Sequence, residues 1–191
     1  MTGPNASPFT PLSVGYADTG DQYDSWLGRQ VQIGAESFVV VKCGPAIAAS
    51  SQGKQLVTAL SAGVPDWVVS LATGLADPKL CGAIPSTLTA AIVSGTYFLA
   101  LRDSPNHQLL VLGSTTGSAA ITGGAYVGAL LMSNTGSTLG DVFGAATSAS
   151  VTGTTLDIYY AANSAGQCLQ IQTGTAATQT YVRYRAPFRG G

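Results

Sequence analysis

Charge is scarce in this chain. Only 9% of its 191 residues are Asp, Glu, Lys or Arg, against roughly 25% in a typical soluble domain, and the formal balance is −1. A lone soluble monomer normally carries a charged surface with a net charge well away from zero, so this surface must be built from Ser, Thr, Gly, Ala and Gln. Such a surface is common where neighbours cover it, because uncharged side chains lose less hydration free energy on burial than Lys or Glu. An even balance also gives no attraction to nucleic acid or to an anionic membrane, and neither is an expected partner. Histidine occurs once, as His107. The three cysteines, Cys43, Cys81 and Cys168, cannot all pair within the chain and form no C-x-x-C, which argues for reduced thiols and synthesis in a cytoplasm. No apolar run approaches the ~20 residues that span a bilayer. The first basic residue is Arg29, so residues 1–27 lack the basic and apolar regions of a signal peptide.

What is present is β signal. A hydrophobic content of 46% and a mean hydropathy of +0.28 exclude a disordered chain, and the length suits one domain with an extended arm. The densest stretch is 28–57. It holds an alternating run over 31–33, a turn at Gly34 and the β-branched block Phe38-Val39-Val40-Val41-Lys42. Gly44-Pro45, a small-residue crossing at 46–49, a loop at 50–53 and a new apolar run at Leu56-Val57 follow. β-Branched runs punctuated by Gly and Pro read as short strands and tight turns. Further strands are expected at 66–71, 96–101, 154–160, 167–172 and 180–184. Residues 81–92 read as an irregular crossing or a short helix broken by Pro85. Ser104-Pro105-Asn106-His107 reads as a turn with 108–112 as its return strand, and Asn163-Ser164-Ala165-Gly166 as a second hairpin connection. A faint echo links Ile47-Ala48-Ala49 to Ala90-Ala91-Ile92, on too few matches to define a repeat. Segment 113–155 is rich in Gly, Ser and Thr; its apolar islands at 126–132 and 139–143 favour ordered β over a linker.

Residues 1–27 differ in kind. Pro4, Pro8 and Pro11 keep the backbone extended, and Phe9, Tyr16, Tyr23 and Trp26 are more aromatics than a solvated tail needs. The expectation is an arm that docks on a neighbour through these residues. At the other end Tyr181, Tyr184, Arg185 and Phe188 form a second candidate contact, set against the plainer reading of an edge strand guarded by charge.

Patterns for chemistry fail on spacing. Gly53-Lys54 resembles the end of a phosphate-binding loop, but Gln55 replaces the magnesium-holding Ser or Thr and Ala48 replaces the first Gly. The segments 113–117 and 136–140 have the outline of a nucleophile elbow with Thr at the centre, yet His107 precedes both and glycine turns explain them better. His107 and three scattered cysteines have no zinc-site spacing. Asp18, Asp21 and Asp24 lack the alternate carboxylates, central Gly and distal Glu of a calcium loop. No catalytic, metal or cofactor site is expected, and Glu36 and the aspartates cannot be paired across a cleft from sequence.

The order of features over 27–57 resembles proteins of tailed-bacteriophage virions: an arm, Leu-Gly-Arg-Gln-Val-Gln-Ile, a Gly turn, Phe-Val-Val-Val-Lys, Gly-Pro-Ala-Ile-Ala-Ala and Gly-Lys-Gln-Leu-Val. Similar layouts occur in capsid decoration, or cement, proteins, and the likeness covers about a sixth of the chain. It implies a non-enzymatic virion protein on the capsid surface, binding between major capsid subunits and to copies of itself, often as a homotrimer. A head-fibre, tail or adaptor component is the alternative within the virion. A carbohydrate-binding or adhesive β-module, stacking sugars on Trp26, Trp67 or tyrosines, is the alternative outside it. The expected fold is mainly β, a compact sandwich or barrel of short antiparallel strands over 28–191 with an extended N-terminal arm over 1–27.

Overall fold

The computed structural model describes residues 12–72, 80–112, 130–133, 142–145, 166–169 and 178–186. The fold is mainly β and is built on a closed five-stranded barrel with additional strands. Its strands are β1 (Gln30–Ile33), β2 (Glu36–Cys43), β3 (Gln55–Ser61), β4 (Val64–Leu71), β5 (Leu80–Ala83), β6 (Tyr97–Leu112), β7 (Leu130–Ser133), β8 (Val142–Ala145), β9 (Gly166–Cys168) and β10 (Thr178–Arg185). The expected strand at 154–160, the connection at 163–165, Phe9 and Phe188 lie outside the described residues.

The barrel runs β2-β4-β3-β5-β6 and closes by pairing β6 back onto β2. The β2–β4 pair is parallel and the other pairs are antiparallel. The uninterrupted Phe38-Val39-Val40-Val41 run follows from burial on both faces, since a strand with one wet face would alternate. Val39 and Val41 join Leu56, Val69, Cys81, Ile84, Phe98 and Ala100 in the barrel interior. Phe38 and Val40 face the other way, into a second layer with Tyr97, Leu99, Leu101, Leu109, Val182 and Tyr184.

Two expectations are corrected. Ser104 to His107 is no turn: β6 runs on without a break from Tyr97 to Leu112. Its antiparallel ladder with β10 steps from Val182↔His107 to Tyr184↔Ser104, so Pro105 lies where the ladder is bulged and its missing N–H leaves no bond unmade. Segment 81–92 holds no helix; it begins with β5 and continues without regular structure, with Ile92 bridged to Ile47. The echoing segments therefore meet at this one bridge, with Ile47 and Ile92 buried and Ala48, Ala49, Ala90 and Ala91 exposed.

A repeat exists elsewhere. From β6 the pairings run β6-β10-β9-β7-β8 and return to β6, a second closed circuit that copies the first strand for strand. β6, the last strand of the first circuit, is the first strand of the second. The parallel pair recurs as β6–β8, and the registers carry over. Lys42↔Val68 corresponds to Val111↔Val142, and Thr58↔Val69 to Met132↔Phe143. Leu56↔Gly82 corresponds to Leu130↔Gln167, Ala83↔Leu101 to Cys168↔Val182, and Phe38↔Leu101 to His107↔Val182. The corresponding β2–β6 and β6–β10 ladders then both shift register, the first past Arg102 in β6, the second past Arg183 in β10 and Pro105-Asn106 in β6.

Residues 12–27, expected as part of an extended arm, lie on the body of their own chain. Leu12 and Tyr23 are buried in the layer over β2 and β6, with Val14, Trp26 and Leu27 packed beside them. Asp18 exchanges backbone hydrogen bonds with Tyr97 at 2.9 and 2.8 Å, and a 3-10 helix spans Asp21–Trp26.

Candidate functional site

Three places gather polar chemistry. The first ties the N-terminal segment to the barrel. The Tyr97 hydroxyl donates a short hydrogen bond to Asp24 Oδ1, and the same oxygen accepts from Lys42 Nζ at 3.2 Å. The ammonium lies 4.8 Å from the Tyr97 ring centroid. The Tyr97 bond, helped by Lys42, holds the Asp24 carboxyl below its ordinary range. Burial, then the bond to Asp24, pushes the Tyr97 phenol up. Beside it the Tyr23 hydroxyl donates to Asp18 Oδ2 at 3.0 Å, and burial raises this phenol as well.

The second place lies where the two circuits meet. His107, buried, holds Glu36 Oε1 at 2.8 Å from Nδ1, and the Ser86 backbone N–H donates to Nε2 at 3.2 Å. The Ser104 hydroxyl donates to the same Glu36 oxygen at 2.7 Å. A backbone N–H can only donate, so Nε2 accepts and the ring proton sits on Nδ1. Ser, His and Glu are thus together, but in the wrong order for nucleophilic catalysis. Ser104 gives its proton to the carboxylate, and the imidazole lone pair that a general base needs is held by a peptide N–H. The cluster secures β2 and the 84–86 loop to the middle of β6.

The third is the exposed row of β10. Gln179, Tyr181, Arg183 and Arg185 are exposed, while Thr180, Val182, Tyr184 and Ala186 between and beyond them are buried. Arg185 Nε lies 3.7 Å from Asp103 Oδ2, and the Gln179 amide donates to the Gln52 carbonyl at 3.1 Å. Leu169, also exposed, donates its N–H to the Tyr181 carbonyl at 2.9 Å.

The expected contact residues are divided by this arrangement. Tyr16, 72% exposed, Tyr181 and Arg185 are available to a partner. Tyr23 and Tyr184 are not, because both rings fill this chain's own core. Trp26 is half-buried against that core, with the Tyr23 ring edge-on at 6.3 Å and the Arg29 guanidinium 5.2 Å from its centroid. An indole covered in this way is a poor platform for a sugar. Trp67 packs against Gly28, where a Cβ would overlap the indole. Cys43 and Cys81 are buried thiols outside any disulfide. Among the described residues no group of three His, Cys, Asp or Glu could hold a metal ion, and no helix is long and apolar enough to cross a membrane.

Arg183 and the Glu36–His107 pair were missed as site residues from sequence. Strict alternation in Thr-Gln-Thr-Tyr-Val-Arg-Tyr-Arg carried the first signal. Nothing local carried the second, since Glu36 and His107 meet only through the β2–β6 pairing. No protein-family model matches the chain, and no curated protein matches it.

Proposed function

We propose that this chain is a virion structural protein of a tailed phage that binds the outside of the capsid between major capsid subunits and stabilises the shell. The observation that carries this reading is a folded β body whose turns and outer strands present large apolar side chains among few charges. Ile33 stands exposed at the β1–β2 turn, Leu60 and Val64 flank the β3–β4 turn, and Tyr16, Val93 and Tyr181 are likewise exposed. With little charge to hydrate, such a surface loses little on burial against a symmetric neighbour. A cement protein binds the assembled shell more tightly than its free subunits and so shifts the assembly equilibrium by mass action. Copies repeated by symmetry multiply a modest affinity per contact. The likeness of segment 27–57 to decoration proteins supports the same reading.

The test is thermal. Empty shells of the phage that carries the gene should melt at a higher temperature once saturated with the protein. Shells whose melting is unmoved at saturating protein would refute a stabilising role.

A further inference from the structure

His107 is the chain's one histidine, and both of its ring nitrogens are committed inside the fold. The ring is buried, with Nδ1 2.8 Å from Glu36 Oε1 and Nε2 3.2 Å from the Ser86 backbone nitrogen. These two bonds respond oppositely to a second ring proton. A carboxylate accepts from Nδ1–H whether the ring is neutral or charged, and it holds the charged ring more strongly. A peptide N–H only donates, so a proton added at Nε2 sets two donors against each other across the Ser86 contact.

The groups around the ring decide which bond gives way. From β2 it meets Glu36, which the Ser104 hydroxyl also holds. On β10 its ladder partner is Val182, which carries no charge. Along β6 the charged neighbours are Arg102 and Asp103, the latter 3.7 Å from Arg185 Nε. The segment after β5 brings Ile84, Pro85 and Ser86, none of them ionisable. Glu36 sits on a strand laddered to β6, whereas Ser86 lies outside regular structure, half-buried, and Thr87 is exposed. A released Ser86 N–H therefore reaches water at little cost. The flanks stay fixed: Ile84 is buried and bonded to Gly53 and Lys54 at 2.9 Å each, and Leu88 is buried. Thr87 also supports the N-terminal segment, since a Cβ on Gly15 would lie 3.1 Å from its side chain.

We propose that His107 is a proton switch: its second ring proton releases the Ser86 N–H while Glu36 keeps hold of the imidazolium, which loosens residues 85–87 and their support of Gly15, next to the exposed Tyr16. Histidine is the side chain whose charge ordinarily changes between about pH 5 and 8, so mild acid is the signal. The moving element is the 85–87 segment; the barrel ladders stay closed.

The test follows the full chain by nitrogen and proton NMR from about pH 8 to about pH 5. The ring nitrogens report protonation, and the Ser86 amide reports the contact through its shift and its hydrogen exchange, corrected for the intrinsic rate. Far-UV circular dichroism and the β2 amides confirm that the barrel stays folded. The Ser86 amide is expected to titrate with the midpoint of the ring and to exchange at least about tenfold faster on its acid side, while the β2 amides keep their protection. His107→Gln, which offers a donor and an acceptor but takes up no proton, should abolish this response; the comparison of ring and amide in the wild type stands even if that variant does not fold. A ring that titrates while Ser86 stays protected, a Ser86 response that persists in the folded glutamine variant, or a ring that stays neutral throughout would each overturn the proposal.

Discussion

Two corresponding ladders, one in each β circuit, shift register at an arginine: past Arg102 in β6, and past Arg183 in β10 opposite Pro105 and Asn106. The strand order and registers of the circuits agree, but their walls differ. The first circuit encloses Val39, Phe98 and Ala100; the second turns Gln179 and Tyr181 to solvent.

Substitutions should separate the two. Phe98→Ala removes a ring from the filled interior and should cost about 3–5 kcal/mol. Tyr181→Ala, at an exposed position, should change stability by no more than about 0.5 kcal/mol. Urea denaturation monitored by circular dichroism measures both.

The N-terminal segment should behave as part of the body. Tyr23→Ala empties a fully packed position between Trp26 and Tyr97 and should destabilise by about 3–5 kcal/mol, the range for large aromatics in cores. Equilibrium unfolding of the variant is the check, and a neutral result would return residues 12–27 to the status of a detachable arm.

The pH response has a definite sign. The Asp24 carboxyl is depressed by Tyr97 and Lys42, so its contribution is present above the ordinary carboxylate range of about 4 and is lost as pH falls through its folded value. Tyr23, Tyr97 and Tyr184 are raised, chiefly by burial. Their contribution is full below about pH 10 and is lost as pH rises through their folded values. Melting followed against pH should show both flanks, and Asp24→Asn should flatten the acid one. Phenolate absorbance of these three should appear only with alkaline unfolding.

Where the two circuits meet, His107→Ala leaves Glu36 and the Ser86 N–H without their ring partner and should cost about 1–3 kcal/mol. Nitrogen NMR of the wild-type ring should report the proton on Nδ1. A proton on Nε2 would contradict the Ser86 hydrogen bond.

Gly28 has φ of 78°, and a Cβ there would enter the Trp67 indole. Gly28→Ala should therefore lower stability by about 1–3 kcal/mol through backbone strain alone, and by more if the indole cannot move. Thermal melting measures it.

The first circuit was largely legible in the sequence because its strands announce themselves locally. Phe38 to Lys42, Asp66 to Leu71 and Tyr97 to Leu101 are β-branched or aromatic runs bounded by glycine or proline. The length of β6 was not legible, since Pro105 and Asn106 carry turn chemistry that a bulge absorbs. The repeat was hidden for a different reason. Strand order and register are backbone properties, and pairs such as Phe38 with His107, or Ala100 with Tyr181, share a position without sharing chemistry. Tyr23 and Tyr184 were misjudged as contacts because aromatic content cannot distinguish a ring that docks on a neighbour from one that fills its own core. Period-two alternation does distinguish Tyr181 from Tyr184.

Co-sedimentation with empty shells tests the central claim most directly. The account predicts that the protein pellets with shells at a saturable ratio fixed by the shell's symmetry. Protein that stays in the supernatant at every ratio of protein to shell would contradict it.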